Sequence, residues 1–147
     1  MLEINRDSAL EDFNARIDLY RKKDKNIIFI QHNDLSLKNG TPEWKIDERL
    51  HLNKNDLCIQ KTHANAFYKT DLLNKLIDKN TKSIEFCGAQ TEYCVNATVE
   101  FAFGLGFDNF MKKGRTSTEN NEFLSAQKTV EYFENNIWNN RFLKIID

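Results

Sequence analysis

Residues 83–106 read SIEFCGAQTEYCVNATVEFAFGLG, and this stretch predicts a strand, a sharp turn and a helix with a cysteine at the junction. Ile84 to Cys87 is a short apolar run of strand type. Gly88 and Ala89 let the backbone turn tightly, and Thr91 is the predicted helix N-cap. Val95, Ala97, Val99, Ala102 and Phe103 give the helix a broad apolar face, and the region of Gly104 and Gly106 ends it. Cys94 then lies in the first turn, where the positive end of the helix dipole and unpaired backbone N–H groups favour a thiolate. A lone cysteine on a helix more often serves packing, so position alone makes Cys94 a candidate nucleophile and no more.

The flanking segments alternate in type. Leu10, Phe13, Ile17 and Tyr20 recur at helical spacing over residues 8–22, with Ser8 and Glu11 as a capping box. Residues 26–31, NIIFIQ, suit a strand buried on both faces, and His32-Asn33-Asp34 follows its end. A long polar connection over 35–55 holds the single proline, Pro42, and the apolar anchors Trp44, Ile46, Leu50 and Leu52. Residues 56–60, DLCIQ, form a second strand that runs straight into Lys61, and residues 70–78 form a helix with Leu72, Leu73, Leu76 and Ile77 facing inward. Beyond the central stretch come a short strand at 109–111, a polar turn at 112–121, and a last helix at about 122–135 resting on Phe123, Leu124, Val130 and Phe133. Strands alternating with helices predict a parallel sheet covered on both faces, with its ligand crevice at the carboxyl ends of the strands. His32, Lys61 and Cys94 each follow a different strand, so topology alone brings them to one edge.

Two motifs sharpen this reading. G-A-Q-T-E-Y-C-V, residues 88–95, and K-T-H-A-N-A-F-Y-K-T-D-L, residues 61–72, occur in that order, each after a strand. Together they resemble the nucleophile segment and the K-x5-F-x2-T-x-L lysine segment of the isochorismatase-like cysteine hydrolases. The resemblance covers nearly the whole chain. It implies an α/β fold with a doubly wound parallel sheet and helices on both faces, a Rossmann-like three-layer arrangement in a single domain spanning residues 1–147. It also implies a cysteine hydrolase acting on a small amide-type C–N substrate through a Cys94 thioester, with Lys61 as its catalytic partner. The oxyanion would be held by the backbone N–H groups of Gln90 and Cys94, beside a cis peptide between Ala89 and Gln90. Trp44, Phe67 and Tyr68 are candidate substrate-binding aromatics, although Phe67 and Thr70 also fit a structural role. Some relatives bind a metal through Asp-x-His…His; this chain has His32-Asn33-Asp34 instead, and neither a metal nor a cofactor is expected.

The chain departs from that pattern at its start. The family opens on an apolar strand ending in Asp, the general base, whereas residues 1–8 read MLEINRDS and lead at once into the helix. Asp7 and Asp12 do not match the motif. Loss of an interior strand would leave two unpaired strand edges. Residues 1–5 as a makeshift strand, a longer reading frame beginning upstream of Met1, or a degenerate copy are the three explanations, and the second is favoured. An enzyme impaired by the absent aspartate and a non-catalytic interaction protein that keeps the fold are therefore the competing expectations. An isochorismatase proper, which needs no cysteine nucleophile, fits the retained Cys94 less well.

Composition bounds the rest. At 147 residues with a formal net charge of -1, nothing in the overall charge calls for nucleic acid or an anionic membrane. There is no apolar run of the ~20 residues that a membrane-spanning helix needs, so the expected setting is cytoplasmic, while the resemblance implies a small-molecule substrate as partner. By resemblance the protein would be a homo-oligomer. Three cysteines with no C-x-x-C spacing argue against a disulfide framework, and Cys58 and Cys87 read as buried packing residues.

Overall fold

A computed structural model describes residues 6–147. Helix α1 covers Arg6–Lys22, so Ser8 lies inside the helix and not at its N-cap position. The makeshift strand considered for residues 1–5 falls outside the described residues. Strands β1, Ile28–His32, and β2, Leu57–Lys61, pair in parallel with His32 opposite Lys61. Helix α2 is Leu72–Asp78. Strand β3, Ser83–Glu85, is followed by the short β4, Gly88–Ala89, a π-helical turn Thr91–Val95, and helix α3, Asn96–Gly104. Then come β5, Asp108–Lys112, and β6, Thr116–Ser117. Helix α4, Ala126–Tyr132, runs into a second π-helical turn, Phe133–Trp138, before β7, Lys144–Ile146. All strand pairings are parallel: β1 with β2, β3 with β5 and β5 with β7, and β4 with β6.

Alternation along the strands places the layers. Ile84 and Phe86 pack with Leu72, Leu76 and Ala102 in one apolar cluster, together with Ile28, Leu57 and Ile59. Glu85, between them, points to the opposite face, where Arg16 and Tyr20 of α1 hold its carboxylate. Helices therefore cover both faces, as an α/β layering requires. A second cluster, Val95, Val99, Met111, Trp138 and Leu143, joins α3 to β5 and the C-terminal turn.

Among the described residues the sheet is divided between β1 and β3, each of which has a strand on one side only. Parallel ladders use alternate residues on each side. Asn33 bonds to Lys61 across β1–β2, and Phe86 to Phe110 across β3–β5. Ile28, Ile30 and His32 thus turn their backbone toward the division from one side, and Ser83, Glu85 and Cys87 from the other. Helix α1 is tied to both halves. Asp12 pairs with Arg115 at 2.7 Å and Arg16 with Glu85 on the β3 side; Arg21 pairs with Asp56, and Asp18 with His51 at 2.9 Å, on the β2 side.

Several elements depart from the sequence reading. The first strand is not buried on both faces, and Ile30 is 37% exposed. Cys58 and Cys87 are exposed as residues, where the sequence reading has them buried: each alternates with cluster residues and so lies on the α1 face, which that helix meets through the ion pairs of Arg16 and Arg21. Ile77 and Phe123 also face solvent, because α2 is a short helix that covers the sheet with Leu72, Leu76 and the partly buried Leu73, and α4 begins only at Ala126, beyond Phe123. The strand β7 is an addition to the sequence reading.

Glu134 is buried and accepts a 2.6 Å hydrogen bond from the Gly114 N–H. Desolvation nevertheless raises its pKa above the ordinary 4.5. A raised carboxyl contributes a penalty that grows as pH rises from the unfolded value through the folded one. Glu134→Gln keeps an acceptor and loses the charge, so its gain in urea midpoint is expected to be larger at about pH 7 than at about pH 4. An equal gain at both values would refute this.

Candidate active site

The turn that carries Cys94 is built from backbone upward. Gly88 has φ +133°, a conformation that favours glycine, and its N–H donates to the Arg115 carbonyl at 3.0 Å. The ladder of Gly88 and Ala89 with Thr116 and Ser117 fixes the strand end, and the Ala89–Gln90 peptide is cis, as the resemblance implies. Thr91 is not the N-cap. It is fully buried, with its hydroxyl 3.0 Å from that of Thr116, and the helix opens instead as a π-helical turn whose Tyr93 and Val95 N–H groups donate to the Gln90 carbonyl. Such turns are frequent at functional sites. Cys94 sits inside it, half-buried, one residue from the buried Val95.

Lys61 is delivered by the last residue of β2. Its carbonyl accepts from the Asn33 N–H at 2.8 Å, and its side chain is buried at 4% exposure. The ammonium nitrogen lies 3.0 Å from Cys94 Sγ, 3.0 Å from His32 Nδ1 and 3.0 Å from the His63 carbonyl oxygen. Thr98 fixes the two halves of this contact relative to each other. Its hydroxyl donates to the Cys94 carbonyl at 2.7 Å and accepts from the Ala66 N–H at 3.1 Å, joining α3 to the loop after Lys61. Thr70 braces that loop through the Ala66 carbonyl at 2.6 Å.

The three residues converging from separate strands, His32, Lys61 and Cys94, are thus in mutual contact through the lysine. The sequence reading leaves out Asp34 as a site residue. Its Oδ2 lies 2.9 Å from His32 Nε2, while Oδ1 accepts from the Ser36 N–H and hydroxyl, both at 2.7 Å, and from the Leu37 N–H at 2.9 Å. Those bonds, led by the Ser36 hydroxyl, hold the carboxyl well below the usual range. The signal in the sequence is D-L-S after a strand, an Asx-turn pattern.

The candidate aromatics take different places. Trp44 donates from Nε1 to Gln60 Oε1 at 2.9 Å, and its carbonyl accepts from the Gln31 amide at 3.1 Å, which pins the long 35–55 connection over the ends of β1 and β2. Tyr68 is exposed, edge-on to the His63 ring at 4.6 Å. Phe67 belongs to the buried cluster, its ring packed on Phe101 and Phe107. A groove of about 500 Å³ lined by Phe103, Phe107, Phe142 and Leu143 lies at the far end of α3 and contains none of the site residues. Among the described residues no group of three or more His, Cys, Asp or Glu side chains is placed to hold a metal ion, and no helix is long and apolar enough to cross a membrane.

Comparison with known proteins follows the same lines. The family profile described as the isochorismatase domain matches residues 3–130. An uncharacterized isochorismatase family protein of Bacillus subtilis, YrdC, is 28% identical over 119 residues, and the ureidoacrylate amidohydrolase RutB of Agrobacterium fabrum is 27% identical over 94. These alignments take in 78% and 64% of this chain, which spans 64% and 41% of the respective relatives. Among solved structures, an isochorismatase family protein superposes with TM-score 0.94 at 38% identity, over 97% of this chain and 86% of that one. N-carbamoylsarcosine amidase from Thermoplasma acidophilum shares the fold alone, with TM-score 0.76 at 12% identity, over 93% of this chain and 80% of that one.

Proposed function

The chain belongs to the isochorismatase family, and we propose that within it the protein is a cysteine hydrolase that cleaves the C–N bond of a small amide or ureido compound. The observation that carries this reading is the buried Lys61 ammonium 3.0 Å from Cys94 Sγ. A buried charge needs a compensating partner. Among the described residues no carboxylate forms an ion pair with Lys61, and of its three acceptors only the sulfur can carry a full negative charge. A protein that merely keeps the fold has no use for a buried lysine aimed at a thiol.

The chemistry then runs as two acyl transfers. Cys94 Sγ bonds to the carbonyl carbon, and the carbonyl electrons move to oxygen, where the Gln90 and Cys94 N–H groups stabilise the oxyanion. Collapse breaks the C–N bond; the departing nitrogen takes a proton from the Lys61 ammonium and leaves as ammonia or an amine. Water adds to the thioester and returns a proton to Lys61, and the C–S bond breaks to free the acid and the thiolate. Trp44, tied to Gln60 beside Lys61, and Tyr68, edge-on to His63, are the side chains that would recognise the substrate body. The unit is a single domain that works in the cytoplasm as a homo-oligomer.

The test is ammonia release from a panel of small amides that includes ureidoacrylate, with peptide-mapped iodoacetamide alkylation alongside. Cys94 is expected to alkylate faster than Cys58 and Cys87 at neutral pH. Cys58 is raised above its ordinary value by desolvation and the Asp56 charge. Cys87 is exposed as a residue, yet crowding around the thiol and then the Glu85 carboxylate push it up to about 11. Equal rates at all three cysteines would rule out an activated Cys94.

A further inference from the structure

Lysine can only donate, so the 3.0 Å contact with His32 Nδ1 requires a lone pair on that nitrogen and places the ring proton on Nε2. An ionised carboxylate can only accept, so the 2.9 Å contact with Asp34 requires the proton on Nε2 as well. Both neighbours demand the same tautomer. Asp34 is in turn locked by three donors to Oδ1, and the Asn33 side chain closes the same loop by accepting from the Asn39 N–H at 3.0 Å.

We infer that His32 and Asp34 are positioning residues for Lys61, a line Asp34–His32–Lys61–Cys94 in which the imidazole Nδ1 accepts a hydrogen bond from one ammonium N–H and thereby aims another at the sulfur. The inference rests on the cysteine–lysine reading above and extends it to two residues outside the matched motifs. The geometry accounts for each donor. A tetrahedral ammonium has three N–H bonds, and here they go to His32 Nδ1, the His63 carbonyl and Cys94 Sγ. Without the imidazole lone pair one N–H of a buried cation is unsatisfied, and the side chain turns to find another acceptor, away from the sulfur. Protonation of His32 has the same effect, because Nδ1–H cannot accept and a second positive charge then stands 3.0 Å from the first. Asp34, Lys61 and, through Lys61, Cys94 are the charged or titratable groups that meet the ring or its partner.

The test is the rate of iodoacetamide alkylation at Cys94 in the full chain, read by peptide mass mapping. His32→Leu is expected to slow Cys94 about tenfold, the size of one hydrogen bond to a charged group, and to match Lys61→Ala. The double variant His32→Leu/Lys61→Ala should be no slower than Lys61→Ala by more than about twofold, since the two act through one contact. His32→Asn, whose carbonyl oxygen can stand where Nδ1 stood, should restore most of the wild-type rate. Asp34→Asn should fall between wild type and His32→Leu. Rates in Cys58 and Cys87, and the far-ultraviolet circular dichroism, should stay as in wild type for every variant. If Lys61→Ala slows Cys94 and His32→Leu does not, or if His32→Asn is as slow as His32→Leu, the positioning role is overturned and the proposed nucleophile stands. If Lys61→Ala also leaves the rate unchanged, the cysteine–lysine reading fails with it.

Discussion

Cys94→Ser is expected to lower turnover of any amide this protein hydrolyses by about four orders of magnitude or more, while leaving its urea midpoint close to wild type. The two halves of that expectation have separate grounds. A serine hydroxyl in the same place can still accept from Lys61, but an ammonium 3.0 Å away does not ionise an alcohol whose proton is held so much more tightly than a thiol's. The fold, in contrast, asks little of the sulfur. Cys94 is half-buried and outside both apolar clusters, and its backbone carbonyl, which Thr98 holds at 2.7 Å, is unaffected by the exchange. Stopped-flow or endpoint ammonia release gives the first quantity and urea unfolding the second. Unchanged turnover would sink the covalent mechanism. A collapse of the urea midpoint together with turnover would instead mark Cys94 as a structural residue, as a lone cysteine on a helix often is.

How far such a site can be seen in sequence depends on which interactions set it. The convergence of His32, Lys61 and Cys94 follows from strand order, since His32 and Lys61 end parallel strands, Cys94 follows the end of another, and parallel strands share an edge. Lys61 and Cys94 carry motif signals besides. Asp34 carries only the local signal of an Asx turn, and what gives it meaning is a contact with His32 across two residues that no periodicity reports. The exposure of Cys58 and Cys87 is equally non-local. An apolar run predicts a buried strand only if both neighbours and both faces are covered, and both cysteines lie on the α1 face, which that helix meets through the ion pairs of Arg16 and Arg21. The π-helical turn at Thr91–Val95 is invisible for a different reason: its first residue, Thr91, is anchored on Thr116, a tertiary contact that helix propensity does not report. The three-residue β7 is too short for a pattern of period two to register.

Trp138→Ala is expected to cost about 3–5 kcal/mol of stability, a large share of the ~5–15 kcal/mol that holds a domain together. Trp138 has no exposed surface and sits in the cluster of Val95, Val99, Met111 and Leu143, its ring 5.4 Å from that of Phe133. Its Nε1–H donates to Asn96 Oδ1 at 2.9 Å, and its carbonyl accepts from the Arg141, Phe142 and Leu143 N–H groups that turn the chain toward β7. Truncation opens a cavity and strips the Asn96 amide of its donor; Trp138→Phe keeps most of the volume and loses only the hydrogen bond, so it should cost about 1–3 kcal/mol. Urea unfolding with an unchanged m-value separates these two contributions. The same substitution reaches the site, because Val95 and Asn96 are the two residues that follow Cys94. If the π-helical turn owes its shape to this anchoring, Trp138→Phe will also slow Cys94 alkylation under conditions where the protein is fully folded. A Phe variant that loses stability and keeps the wild-type alkylation rate would show that the turn is held by Thr91, Thr98 and the β4–β6 ladder alone.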